Sequence, residues 1–141
     1  MLAGVELGNE INWAAFNPEF PLPGEGKILS LKDLTDDPEG KQIAKGFLQY
    51  IKILEALKEV RDHSRLNRSA PIISAGLVSA KDGEKLYNNK KEDMVSLAAT
   101  IAFLRAHGLD SLVDAYGIHS YPSPGRPGDP TAAAQRATRL N

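Results

Sequence analysis

The run Val5-Glu6-Leu7-Gly8-Asn9-Glu10-Ile11-Asn12-Trp13 reads as a short buried strand that ends on an amide and a carboxylate. A second run, Ala115-Tyr116-Gly117-Ile118, leads in the same way into His119-Ser120-Tyr121-Pro122. Between them, Pro71-Ile72-Ile73-Ser74-Ala75-Gly76-Leu77-Val78 is a brief apolar stretch after a break, the pattern of a strand covered on both faces. In parallel α/β architectures the residues just past the carboxyl ends of the strands build the site. Hydrogen-bonding side chains beyond two of the three candidate strands therefore point to a fold class and to a place for chemistry.

The intervening segments predict the crossovers. Asp37-Pro38 supplies a cap and a first-turn proline, and Ile43, Phe47, Ile51, Leu54 and Leu57 follow at helical spacing, which predicts a helix from about 38 to 66. Arg61, Arg65 and Arg68 near its end complement the negative pole of the helix dipole and are expected to face solvent. Met94, Leu97, Ala98, Ile101 and Leu104 predict a second amphipathic helix, closed at His107-Gly108. Prolines and glycines between Asn17 and Gly26 mark residues 17–37 as a long surface loop after the first strand. Residues 123–141 read as a terminal loop with a candidate helix opening at Asp129-Pro130.

Strand, helix, strand, helix, strand implies a parallel sheet with right-handed crossovers, either an open doubly wound sheet or an arc of a (β/α)8 barrel. An open sheet usually announces a nucleotide by a glycine-rich first turn, and Gly8-Asn9-Glu10 offers no such phosphate cradle. No cofactor is expected.

Composition sets the remaining bounds. A chain of 141 residues, 42% apolar and 25% charged, suits one globular domain. A net charge of -1 gives no electrostatic reason to expect nucleic acid or an anionic membrane as partner. The absence of cysteine removes thiol nucleophiles and thiolate metal sites. No apolar run approaches the roughly 20 residues that cross a bilayer. His63 lies in a charged helix and His107 at a helix end, neither in a metal-ligand pattern. No Gly-x-Ser-x-Gly elbow presents a serine to pair with Asp114 and His119.

Glycosidic bond cleavage needs a carboxylic acid to protonate the leaving oxygen and, in retaining enzymes, a second carboxylate as nucleophile. Glu10, expected partly buried at a sheet mouth and near another negative group, suits the first task, because both disfavour a charged carboxylate. Asn9 can hydrogen-bond a sugar hydroxyl, and Trp13 offers a ring face to a pyranose. His119 and Tyr121, two positions apart in an extended segment, share one side.

Leu7-Gly8-Asn9-Glu10 together with Ile118-His119-Ser120-Tyr121 resembles the fourth and sixth strands of the clan A glycoside hydrolases. The resemblance implies a retaining (β/α)8 barrel enzyme acting on a carbohydrate substrate. It also implies that Glu10 is the acid/base, that Asn9 binds the sugar beside the scissile bond, and that His119 and Tyr121 line the subsite floor. Several of these families place proline after the glutamate, where this chain has Ile11. The clan's nucleophile is a second glutamate ending strand seven, and no glutamate follows Glu92 here. The expectation is therefore a segment spanning strands four to six, inactive alone and prone to self-association through open sheet edges. The alternative expectation is a non-catalytic carbohydrate-binding or structural α/β fragment.

Overall fold

The computed structural model describes residues 1–81 and 92–119. Tyr121 and the 123–141 segment lie outside the described residues.

The elements, in order, are β1 (Val5–Glu6), β2 (Ile28–Leu29), α1 (Asp33–Asp36), α2 (Pro38–His63), β3 (Ile72–Ile73), β4 (Leu77–Val78), β5 (Met94–Val95), α3 (Leu97–Ala106), a 3-10 turn (Leu109–Ser111) and β6 (Ile118–His119). The run from β3 to β4 is the middle of a parallel arrangement. On one side β1 pairs Val5 with Ile72 and Glu6 with Ile73, and the bridge continues to Asn9 and Gly76. On the other, Ile73 bridges Ala115, and β4 pairs Leu77 with Ile118 and Val78 with His119. The chain travels from one strand to the next through α2 and then α3, giving the mixed α/β class with parallel strands expected from the sequence. The described residues contain no closed barrel.

The long helix forms for the reasons its sequence offers. The Asp37 carboxylate accepts hydrogen bonds from the Glu39 and Gly40 amides at 2.9 and 3.1 Å, and Pro38 occupies the first turn, where no intrahelical donor is needed. Ile43, Phe47, Ile51 and Leu54 are buried on one face and join Ile72, Ala75, Leu77, Val95 and Leu104 in the main core. Phe47 meets Phe103 of α3 with ring centroids 5.8 Å apart.

Three local expectations are corrected. Residues 17–37 are more than a surface loop: Phe20, Leu29 and Leu34 are buried, and β2 pairs in parallel with β5. Met94 belongs to β5 and not to the second helix. Its amide bonds the Lys27 carbonyl, and the helix starts only after Ser96, whose hydroxyl accepts the Ala99 amide at 3.1 Å. Arg61 does not face solvent as Arg65 and Arg68 do: its guanidinium donates to the Ala70 carbonyl at 2.9 Å, while the Asp114 carboxylate accepts the Ile72 amide at 2.8 Å. Arginine's long fork reaches backbone at the sheet's amino end that a shorter residue would leave unpaired.

Tyr50 locks α2 to the sheet. Its hydroxyl donates to the Leu7 carbonyl at 3.0 Å and accepts the Ala75 amide at 2.7 Å, spanning β1 and the middle strand. Burial pushes the phenol up to about 12, with the Ala75 amide opposing. A group held above its ordinary value of 10.0 stabilises the fold fully below that pH and loses the contribution as pH climbs through the folded value. Tyr50→Phe should therefore cost about 1–3 kcal/mol at neutral pH by orphaning two backbone groups. In urea unfolding at a series of pH values, the gap between wild type and variant should narrow between pH 10 and about 12.

Candidate functional site

Glu10 follows the last β1 bridge. Its amide donates to the Gly76 carbonyl at 2.7 Å and its carbonyl accepts the Trp13 amide at 2.9 Å, so the chain turns sharply there. The turn places Glu10 at φ 47°, the left-handed region that costs a side-chain-bearing residue about 1–2 kcal/mol. The residue is also only 2% exposed. A buried, strained glutamate at a strand end is the kind of feature that persists where the surrounding structure over-determines it.

What it meets is His119. The Nδ1 of His119 lies 2.9 Å from Glu10 Oε1, across 109 residues of sequence. Nε2 lies 3.9 Å from the carboxylate of Glu6, and about a third of the imidazole remains exposed. Two residues expected at the ends of separate strands are thus brought into direct contact at the carboxyl end of the parallel strands.

The backbone beneath explains how the imidazole arrives. Between its two points of pairing the middle strand takes four steps, from Ile73 to Leu77, where its neighbour takes three, from Ala115 to Ile118. The extra residue is a bulge. Ser74 compensates for the interrupted ladder: its buried hydroxyl accepts the Gly117 amide at 3.0 Å. The two backbones approach so closely that a Cβ at Gly117 would stand 2.6 Å from the Ser74 carbonyl oxygen. Gly76 is the floor of the site, since a Cβ there would collide with Nε2 of His119.

Asn12, which the sequence places in the first run without a role of its own, is fully buried. Its amide nitrogen donates to the carbonyls of Val78 and Val95 at 3.0 Å each, and its Oδ1 accepts the Val78 amide at 3.0 Å. It joins the first strand's exit to β4 and β5. Its only signal is an amide two residues beyond Glu10 within an apolar run, which must find partners if it is buried.

The other expected site residues divide. Asn9 is exposed beside the pair, held through its bridge to Gly76. Trp13 is half-buried, packs with Val78, Ala80 and Met94, and meets Phe16 edge-on at 5.5 Å. Its ring anchors the turn, and its Nε1 is buried without a hydrogen-bond partner among the described residues. Glu6, Ser74 and Gly76, none of them expected from the sequence as site residues, complete the surroundings of the pair. Among the described residues no cluster of His, Asp and Glu has the geometry to hold a metal ion, and no helix is long and apolar enough to cross a membrane.

Fold and site together define a parallel α/β sheet that carries a carboxyl-imidazole pair at the carboxyl ends of its strands. No protein-family model matches the chain, and neither a curated protein nor a solved structure matches it.

The floor of the site yields a direct test. Gly76→Ala should displace the imidazole while leaving the helices intact by circular dichroism. A downfield resonance from the proton bridging His119 and Glu10, expected in wild type, should then disappear. Its persistence in the variant would show that the pair does not depend on Gly76.

Proposed function

We propose that this chain carries the acid/base portion of a retaining glycoside hydrolase, with Glu10 as proton donor and with Asn9 and His119 on the bound sugar. The supporting observation is the 2.9 Å contact between buried Glu10 and His119 at the carboxyl ends of neighbouring parallel strands. In this reading β1, the β3–β4 run and β6 are consecutive strands of a (β/α)8 barrel, in the order that such a barrel and half of a doubly wound sheet share. Glu10 protonates the departing glycosidic oxygen and later takes a proton from water. His119 orients the carboxyl, and Asn9, exposed at the rim, meets a ring hydroxyl. Double displacement also needs a second carboxylate about 5–5.5 Å from the first. No glutamate follows Glu92, so that carboxylate is proposed to come from outside this chain.

External azide separates the two halves of the reaction, because it replaces the carboxylate nucleophile but not the acid. With aryl glycosides whose leaving group needs protonation, the chain plus azide should form glycosyl azide, and Glu10→Gln should lower that rate by about 10²–10⁴-fold. Glycoside binding that Asn9→Ala weakens, without any azide product, would favour the non-catalytic carbohydrate-binding alternative. No binding of any glycoside would overturn both.

A further inference from the structure

The long helix carries a second apolar stripe beside the one that faces the sheet. Ile43, Phe47, Ile51 and Leu54 turn inward, yet Ile53 is 46% exposed and Val60 70%, and Ala56 between them is exposed as well. Together with Gly46 and Gln49 they fall at positions 46, 49, 53, 56 and 60, alternating steps of three and four. That is the spacing by which one helix lays a seam along another. A helix that only covers a sheet needs one apolar face.

A groove of about 240 Å³ opens along the first half of this seam, with Ile11, Phe16, Pro18, Gly46, Gln49 and Ile53 in its lining. Gly46 lets the far wall stand close, since a Cβ there would lie 2.7 Å from Glu19 Cγ. Phe16 is exposed at its edge, so groove and seam form one apolar patch beside charged positions.

Charge on the flank of the seam selects the occupant. Lys52 and Glu59, seven residues apart and each just before a seam position, are exposed and have no ion pair among the described residues. Two copies of α2 laid antiparallel about a two-fold axis between Ile53 and Ala56 set Lys52 of each opposite Glu59 of the other, so the pair forms twice. Ile53 then faces Ala56 of the second copy, and Val60 reaches Gln49 at the mouth of the groove. A parallel pair on the same seam would set Lys52 against Leu57, which offers it no partner. Neighbouring helices of a (β/α)8 barrel run parallel, so the pattern suits a second copy better than an adjoining barrel unit.

We propose that the 49–60 seam of α2 is a dimer interface, covered in solution by the same seam of a second copy in antiparallel orientation. The interface is separate from the open sheet edges and does not depend on the glycosidase reading. A single helix pair buries less than the roughly 1,200 Å² of a standard interface, so the association is reversible and depends on concentration.

Sedimentation equilibrium of the full chain tests it. Between about 1 µM and about 1 mM the average mass should rise from 15.3 kDa toward twice that value. Ile53→Glu, which brings two carboxylates together near the axis, should lower the association constant at least about tenfold while circular dichroism shows the helices intact. Glu59→Lys and Lys52→Glu should each lower it at least about threefold, and the two together should restore it, because the pairs re-form with their signs exchanged. A mass that stays at one chain throughout would overturn the interface. So would association that Ile53→Glu leaves unchanged, which would place the contact elsewhere, or a double variant no better associated than the single ones.

Discussion

The constraint on which the structure depends is the parallel pairing of the Ile72–Val78 run on both of its sides. β1 and its extension to Asn9 lie along one edge, and the Ala115–His119 run lies along the other. A strand fixed from both edges cannot slide by one residue without turning every core side chain to the wrong face. Ile72, Ala75 and Leu77 are all at or below 1% exposure and pack against the buried face of α2. Register and core thus enforce each other. Given that frame, the residues after β1 and at the end of β6 must meet at the same end of the sheet.

Glu10 shows how the frame acts on the site. An L residue with a long side chain resists φ 47°, and a carboxyl group resists leaving water. Either cost alone favours a different local conformation. The backbone bonds to Gly76 and from Trp13 fix the turn, and the imidazole supplies the buried carboxyl with a partner. The bulge opposite, with Ser74 closing its gap and Gly76 making room, brings that imidazole within reach. The site is a consequence of mismatched step counts on two neighbouring strands and not of the strand ends alone.

This divides what was legible in the sequence from what was not. The three parallel strands and two crossover helices were legible, because short apolar runs, the 3.6 period and caps such as Asp37-Pro38 are local properties. So was the placement of Glu10 and His119 at one end of the sheet, which follows from strand direction, whereas their contact depends on the bulge. The β2–β5 pair was not: two residues carry no period, and Met94 at three- and four-residue spacing from Leu97 and Ala98 imitates a helix. Asn12, Ser74 and Asp93 were missed because a buried polar residue and a loop polar residue look alike until their partners are known. Trp13 shows the converse, its ring being occupied by Met94 and Phe16, which sequence distance conceals.

Those missed residues explain how strands two residues long persist at all. A ladder so short satisfies few backbone groups, and every unpaired buried amide or carbonyl costs about 1–3 kcal/mol. Here the deficit is met by side chains: Asn12 serves β4 and β5, Tyr50 serves β1 and the middle strand, Ser74 serves the approach to β6, and Asp93 serves the loop before β2. Each is buried and each has its partners, so the desolvation of the polar atom is offset by the bonds it forms in a low-dielectric interior. Such a network is directional in a way that apolar packing is not. Replacing one member by an apolar residue of the same volume leaves the core filled but the backbone orphaned. The polar interior therefore specifies this sheet, while the apolar core supplies most of the drive to form it.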